Sequence, residues 1–179
     1  GVGGTSIAYH LAERGWTDIL LVDRAELTSG STFHSAGLVG QLRGSVTLTK
    51  MMMYGSDLYR RLSEDTGVDP SWHEVGSIRL ASSKARMDEL ERQAGWAKTF
   101  GLPMELIDAP LMSTDGVLGG VWLPTDGWLD PSGLAGALAA GARKKGVTIR
   151  SHTRVVDIGV ERGSVTAVTV EHKADRSEI

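Results

Sequence analysis

A glycine-rich turn followed at once by a helical pattern constrains the fold of this chain more than any other feature. The chain opens with Gly1-Val2-Gly3-Gly4-Thr5-Ser6, and the apolar spacing that follows predicts a helix that ends at Gly15. Gly1 and Gly4 occupy the second and third glycine positions of a G-x-G-x-x-G turn, whose first glycine and preceding strand would lie upstream of residue 1. We therefore expect the chain to be a fragment, cut at this end.

The two motif glycines have a physical reason to lack side chains. A Cβ at Gly1 would hold a pyrophosphate away from the helix N-terminus, and one at Gly4 would push the helix off its neighbouring strand. The apolar run 19–22 predicts a buried parallel strand, and Asp23 ends it. Because Asp23 stands close to the roughly 20-residue spacing at which an acid receives ribose hydroxyls, the pattern predicts an α/β, Rossmann-like FAD/NAD(P)-binding fold.

Composition excludes several function classes. A formal net charge of −3 and the lack of any Lys or Arg cluster argue against a nucleic-acid partner. The chain has no cysteine, so disulfides, thiolate metal sites and cysteine nucleophiles are excluded, and redox chemistry would need a bound cofactor. The five histidines lack ligand spacing, so no metal site is expected. No apolar stretch approaches the roughly 18 residues of a membrane span, and the upstream part that we expect to be missing would hide any targeting segment.

The remaining patterns predict two lobes. Nucleotide-binding signals occur at both ends and are absent between them, so residues 1–42 and 130–179 are predicted to form a discontinuous nucleotide-binding lobe. Residues 43–129 are predicted to be an inserted α+β part of a substrate-binding lobe, and the far end of the chain is also expected to be cut. The predicted helices lie at 46–66, 84–100 and from Pro131 to about 145, and the strands at 76–82, 119–124, 148–150, 154–158 and 165–170.

A loop of small hydroxyl residues and glycines is the most specific part of a resemblance to a known family. The loop Leu27-Thr28-Ser29-Gly30-Ser31-Thr32-Phe33-His34-Ser35-Ala36-Gly37-Leu38 follows Asp23, and Asp126-Gly127-Trp128-Leu129-Asp130-Pro131 comes later. With the opening glycines, these segments resemble the dimethylglycine and sarcosine dehydrogenase group of the D-amino acid oxidase-like FAD-dependent oxidoreductases. The resemblance covers nearly the whole chain. It implies that the nucleotide-binding lobe binds FAD and that the substrate is a small-molecule N-methylated amine.

The resemblance also implies roles for individual residues. In that group the histidine of Gly-Ser-Thr-x-His-x-Ala-Gly is joined covalently to the flavin, and His34 holds this position. The pyrophosphate lies on the first glycine turn, the ribose on the strand-end acid, and the adenine beside a later valine, for which Val155 or Val156 is the matching place. The predicted cofactor-binding residues are Gly1, Gly4, Thr5, Asp23, Ser31, Thr32, His34, Gly37 and Val155.

Arg43 is the candidate ligand for a substrate carboxylate, because a guanidinium can grip a carboxylate bidentately. An arginine in a polar loop is, however, more often solvated. One departure from the group is the connection between Ile107 and Met112, where a longer helical stretch is usual.

The implied reaction is oxidative demethylation, with a hydride passing from the N-methyl carbon to flavin N5. Tetrahydrofolate is a possible second cofactor in the missing part of the parent, and an electron-transfer protein is a possible acceptor. The implied location is the bacterial cytoplasm or the mitochondrial matrix. Two other functions stay open, an NAD-dependent dehydrogenase and a nucleotide-binding regulator without catalysis. Against the first, an NAD fold would continue from Asp23 into another strand-helix-strand unit.

Overall fold

Helices and strands alternate along the described parts of the chain, which are residues 1–108, 115–172 and 175–178 of a computed structural model. The order matches an α/β chain whose strands are mostly short. The helices are α1 (Val2–Glu13), α2 (Val46–Thr66), α3 (Lys84–Lys98) and α4 (Pro131–Lys144). The strands are β1 (Leu20–Val22), β2 (Leu38–Val39), β3 (Ser77–Ala81), β4 (Glu105–Asp108), β5 (Gly119–Leu123), β6 (Gly127–Trp128), β7 (Thr148–Arg150), β8 (Thr153–Glu161), β9 (Ser164–His172) and β10 (Asp175–Glu178).

Local capping chemistry sets the helix ends. The Asp130 carboxylate accepts the N–H groups of Ser132 at 3.1 Å and Gly133 at 2.8 Å, which begins α4 as predicted. Helix α2 has the predicted bounds. Helix α3 ends at Lys98 rather than at the predicted Phe100, because the chain turns there toward Gly101, whose φ is +73°.

The first of two compact units contains Gly1–Ala36, Arg61–Ser71 and Asp130–Ile179. In this unit β1 pairs in parallel with β7, with Leu20 opposite Thr148. A second sheet has the antiparallel order β10-β9-β8. Its β8–β9 hairpin turns at Arg162 and Gly163, which both have positive φ, as a type I′ turn requires. A parallel strand pair beside packed helices is the arrangement of a Rossmann-like fold.

Close packing of α4 on α1 depends on the small residues of α4. A Cβ at Gly141 would lie 2.6 Å from the Tyr9 ring and 2.7 Å from Thr66 Cγ2, so this position admits no side chain without a shift of its neighbours. Ala135, Ala139 and other alanines of α4 are fully buried. The helix axes can therefore approach each other closely.

The second unit contains Gly37–Arg60 and Trp72–Leu129. Its main sheet has the antiparallel order β3-β5-β4, and β2 and β6 form a separate two-residue ladder. Helix α3 contributes Leu90, Ala94 and Ala97 to a core that also includes Val121 and Leu123 of β5. The short connection predicted between residues 107 and 112 falls largely on 109–114, which lie outside the described residues.

Candidate functional site

A cleft of about 550 Å³ lies at the N-terminus of α1 in the first unit. The glycine turn, the residues that follow β1, and the loop at 29–32 form its walls. The structure therefore brings together the parts that were predicted to hold phosphate and ribose. Five predicted cofactor residues line the cleft, namely Gly1, Gly4, Asp23, Ser31 and Thr32.

The two motif glycines are positions of close approach. A Cβ at Gly4 would lie 3.1 Å from Leu21 Cδ1, so a side chain there would press α1 away from β1, as expected. A Cβ at Gly1 would lie 2.8 Å from Thr32 Oγ1, which is closer than real side-chain contacts. Gly1 thus has a second reason to be glycine, since it lets the loop 27–38 approach the helix.

Thr32 ties that loop to the start of α1. The N–H of Val2 donates to Thr32 Oγ1 at 2.9 Å, and Thr32 is 8% exposed. The N–H groups of Gly3 and Gly4 have no acceptor among the described residues, and both glycines line the cleft. A helix N-terminus with unused N–H donors and a partial positive charge is suited to a phosphate group.

Asp23 presents its carboxylate at the other side of the cleft. Its Oδ2 accepts from the Gly1 nitrogen at 2.8 Å, and its Oδ1 accepts from the Ala25 N–H at 3.2 Å. Burial alone would raise the pKa of Asp23, but the hydrogen bonds from the Gly1 amino group and Ala25, with the charges of that amino group and Arg24, outweigh it and lower the pKa. Asp23 is therefore ionised at neutral pH and keeps lone pairs for further donors.

His34 lies in an exposed part of the loop. Its backbone N–H donates to the Ser31 carbonyl at 3.2 Å, and its ring lies edge-on to the Phe33 ring with 5.4 Å between centroids. No hydrogen bond to either ring nitrogen occurs among the described residues. The imidazole is therefore accessible to a group placed next to the loop.

Three further predicted cofactor residues lie elsewhere, since the described cleft lining does not include them. Thr5 is fully buried, and its hydroxyl is within 3.1 Å of the Val2 carbonyl of its own helix. Gly37 belongs to the second unit, where its carbonyl accepts the Leu129 N–H at 3.0 Å. Val155 lies on β8 and is 40% exposed, so it is not a core residue. Their contribution to cofactor binding stays a prediction.

Arg43 lines a different cleft, of about 470 Å³, within the second unit. Its Nη1 donates to the Leu42 carbonyl at 3.2 Å, so the guanidinium turns back over its own loop. Arg79 of β3 and Gln93 and Trp96 of α3 line the same cleft. Sequence reasoning did not find Arg79. The available signal was its position on the alternating strand β3, which places it on the same face as the buried Ala81 and therefore turned away from solvent.

Asp126 is a second residue whose importance the sequence did not reveal. Its side chain is 1% exposed, its Oδ1 accepts the Gln41 N–H at 2.8 Å, and its Oδ2 accepts the Ser77 hydroxyl at 2.6 Å. These bonds join β3 to the loop that precedes Arg43. In the sequence, the Asp126-Gly127 pair within the segment 126–131 was the signal that could have pointed to Asp126.

In the parts of the chain that the structure describes, no group of three or more His, Asp or Glu side chains is placed to hold a metal ion. None of the described helices has an apolar stretch long enough to cross a membrane.

The glycine turn at the start of α1, the acid after β1 and the parallel β1–β7 pair define a dinucleotide-binding α/β protein. Residues 1–178 match the DAO family, whose members are FAD-dependent oxidoreductases, and the chain belongs to that family. The predicted family and the Rossmann-like fold are thereby confirmed.

Individual relatives agree with this assignment. Over 191 residues the chain is 38% identical to mitochondrial dimethylglycine dehydrogenase of Rattus norvegicus, covering 97% of this chain and 22% of the relative. Over 178 residues it is 34% identical to the mitochondrial pyruvate dehydrogenase phosphatase regulatory subunit of Mus musculus, covering 96% and 20%. L-Proline dehydrogenase from P. horikoshii superimposes with a TM-score of 0.87 at 26% identity, covering 95% of this chain and 46% of that structure. The chain thus spans about a fifth of the length of these two curated relatives.

Proposed function

We propose that the first unit is the FAD-binding lobe of an enzyme that oxidises the C–N bond of an N-methylated glycine or a similar amine. The observation that carries the proposal is the cleft at the start of α1, where unused N–H donors, an ionised acid and the loop 27–38 converge. The match to FAD-dependent oxidoreductases supports it. FAD bound there would supply the hydride acceptor, flavin N5, for the N-methyl carbon of the substrate.

Different residues of the cleft would contact different parts of the nucleotide. The N–H groups of Gly3 and Gly4 would donate to the pyrophosphate, and the positive end of α1 would stabilise its charge. Asp23 would accept ribose hydroxyls, because its carboxylate is ionised and not saturated by its two donors. Thr32 would keep the loop against the helix, and Val155 would lie beside the adenine.

His34 is proposed to anchor the flavin covalently. The bond would join a ring nitrogen of His34 to a methyl carbon of the flavin ring, which requires a neutral, accessible imidazole. A methyl C–H bond and the imidazole N–H bond would break, both hydrogens would leave as protons, and the electron pair would reduce the flavin, which the proposed electron acceptor would reoxidise. The exposed ring without a hydrogen-bond partner among the described residues supports this role. A covalent link of this kind raises the flavin potential and so favours amine oxidation.

The second unit is proposed to be part of the substrate-binding lobe, with Arg43 directed to the substrate carboxylate. The substrate amine must be neutral to donate hydride, and the iminium product would be hydrolysed or would pass its one-carbon unit to tetrahydrofolate. An electron-transfer protein is the proposed partner for reoxidation. The mitochondrial matrix and the bacterial cytoplasm are the two proposed locations, the first supported by the mitochondrial relatives.

A regulatory function without catalysis is the second candidate. The observation in its favour is that one relative with similar identity is a regulatory subunit by name. Both candidates predict a nucleotide in the first-unit cleft, and they differ in whether an amine reduces the flavin.

Absorbance of the intact protein separates these functions. Flavin bands that N-methylglycine or N,N-dimethylglycine bleaches without oxygen are the expected result. Bound flavin that no N-methyl amine bleaches would contradict the enzymatic proposal and support the regulator. A colourless protein that reduces NAD⁺ would contradict FAD binding. Gly95→Ala is a suitable control for folding, because a Cβ at Gly95 meets nothing within 4 Å and Gly95 does not line the first-unit cleft.

A further inference from the structure

Two guanidinium groups without carboxylate contacts lie in the second-unit cleft. Arg79 Nη1 donates to Gln93 Oε1 at 2.9 Å and its Nη2 reaches the Leu42 carbonyl at 3.4 Å. Arg43 Nη1 donates to the same carbonyl at 3.2 Å. Both side chains are half-buried, and no salt bridge to either occurs among the described residues. One carbonyl oxygen therefore holds two like charges close to each other.

The rest of the cleft does not neutralise them. Glu89 is paired with Arg92, and it also accepts from Gln93 Nε2 at 2.8 Å. Asp126 contributes one negative charge nearby, but its oxygens accept from Gln41 and Ser77 rather than from a guanidinium. The cleft lining contains Arg43, Arg79 and Arg92 against Glu89 alone, so even with the nearby Asp126 the positive charge is not fully compensated.

The charge of Arg86, which is outside the cleft lining, also acts on Arg79. Burial lowers the pKa of Arg79, the charge of Asp126 raises it, and the charges of Arg43 and Arg86 lower it further, with a net lowering. An arginine stays protonated at neutral pH even so. A bound monoanion would relieve the repulsion between the two guanidinium groups.

We propose that Arg79 and Arg43 together bind a single carboxylate, that of the amine substrate, and that Arg79 is a specificity-determining residue. The inference rests on the proposed function, since it supplies the substrate. Among the described residues Nε of both arginines and Nη2 of Arg43 have no acceptor, so these donors are available to two carboxylate oxygens.

Direct binding of acetate to the intact protein tests the site without turnover. We expect calorimetric titration to show saturable binding that Arg79→Met and Arg43→Met each weaken by about 10- to 100-fold, the range for losing one charged hydrogen-bonding partner. Arg79→Lys should retain part of the affinity. Lys98→Gln is the charge-matched control, because Lys98 is exposed on the same helix as Gln93 and does not line the cleft. Equal acetate affinity in the Arg79→Met and Lys98→Gln proteins would overturn the site.

Turnover decides whether the carboxylate belongs to the substrate. Arg79→Met should raise KM for N,N-dimethylglycine at least 10-fold with little change in kcat, and should leave KM for the uncharged N,N-dimethylglycinamide unchanged. Equal rises for both compounds would indicate a general structural defect and overturn the specificity role. Arg79-dependent acetate binding with an unchanged KM for dimethylglycine would overturn the substrate assignment. If no N-methyl amine is oxidised, the proposed function is wrong, and so is the assignment of the arginine pair to a substrate carboxylate. Acetate binding still shows in that case whether the two arginines form an anion site.

Discussion

Substitution of Gly1 by alanine should loosen the loop 27–38 from α1. The added Cβ would lie 2.8 Å from Thr32 Oγ1, which accepts the Val2 N–H at 2.9 Å. Thr32 is 8% exposed, so its side chain has little room to move without breaking that bond. Gly1→Ala therefore removes a helix-capping hydrogen bond, although neither Val2 nor Thr32 is itself substituted.

The expected cost follows from that one bond. Loss of a side-chain cap destabilises a protein by about 1 kcal/mol, within a range of roughly 0.5–2 kcal/mol. In a cooperatively unfolding unit of about 150–250 residues, each 1 kcal/mol lowers Tm by about 2–4 °C. Thr32→Ala should cost a similar amount because it removes the same bond. In the Thr32→Ala background, however, Gly1→Ala should cost almost nothing further, because the oxygen that the new Cβ would meet is gone.

Thermal unfolding of the intact cofactor-free protein, followed by circular dichroism, measures all four members of this cycle. Gly3→Ala is the matched control, and we expect it to be neutral or slightly stabilising, since nothing lies within 4 Å of its Cβ. Additive losses for Gly1→Ala and Thr32→Ala would show that the close approach is not the reason for glycine at this position.

Other substitutions test the packing and electrostatics elsewhere. Gly141→Ala should destabilise the protein by about 1–3 kcal/mol, because its Cβ would meet Tyr9 and Thr66, whereas Gly136→Ala on the same helix should be neutral or stabilising; urea unfolding compares them. Asp126→Ala should cost about 2–4 kcal/mol in the same assay, because it leaves the Gln41 N–H and the Ser77 hydroxyl without their acceptor. The pKa of Asp23 is lowered in the folded state, so its contribution to stability is present above its ordinary value of 3.8 and is lost as the pH falls below it. In the chain that carries the Gly1 amino group, Asp23→Asn should therefore flatten the acid-side decrease of Tm below about pH 4, and an unchanged decrease would contradict this assignment.

The sequence predicted the elements whose signals are local. Helix α2 and strand β7 have the predicted bounds, because apolar spacing and flanking glycines determine them over a few residues. Asp130 caps α4 as its position before Pro131 indicates. Strand β4 was not predicted, because its four residues form a strand through pairing with β5 rather than through an alternating pattern of their own.

The site was predictable as far as it depends on the motif. The sequence spacing was sufficient to predict that Gly4 and Asp23 lie at one cleft, because a βαβ-type arrangement puts the helix start beside the end of the next strand. The contact of Thr32 with Val2 depends on how the loop 27–38 folds, which spacing does not encode. The Arg43–Arg79 pair also depends on tertiary packing. Arg43 lies in a loop and Arg79 on β3, and both side chains donate to the Leu42 carbonyl.

The central claim is that the loop after β1 carries the flavin of an amine oxidoreductase. Mass spectrometry of a tryptic digest of the intact protein tests it most directly. The peptide that contains His34 should carry the added mass of FAD, and His34→Ala should abolish this attachment while some noncovalent FAD remains at the cleft of Gly4 and Asp23. An unmodified His34 peptide from active enzyme whose flavin survives acid precipitation would contradict the claim.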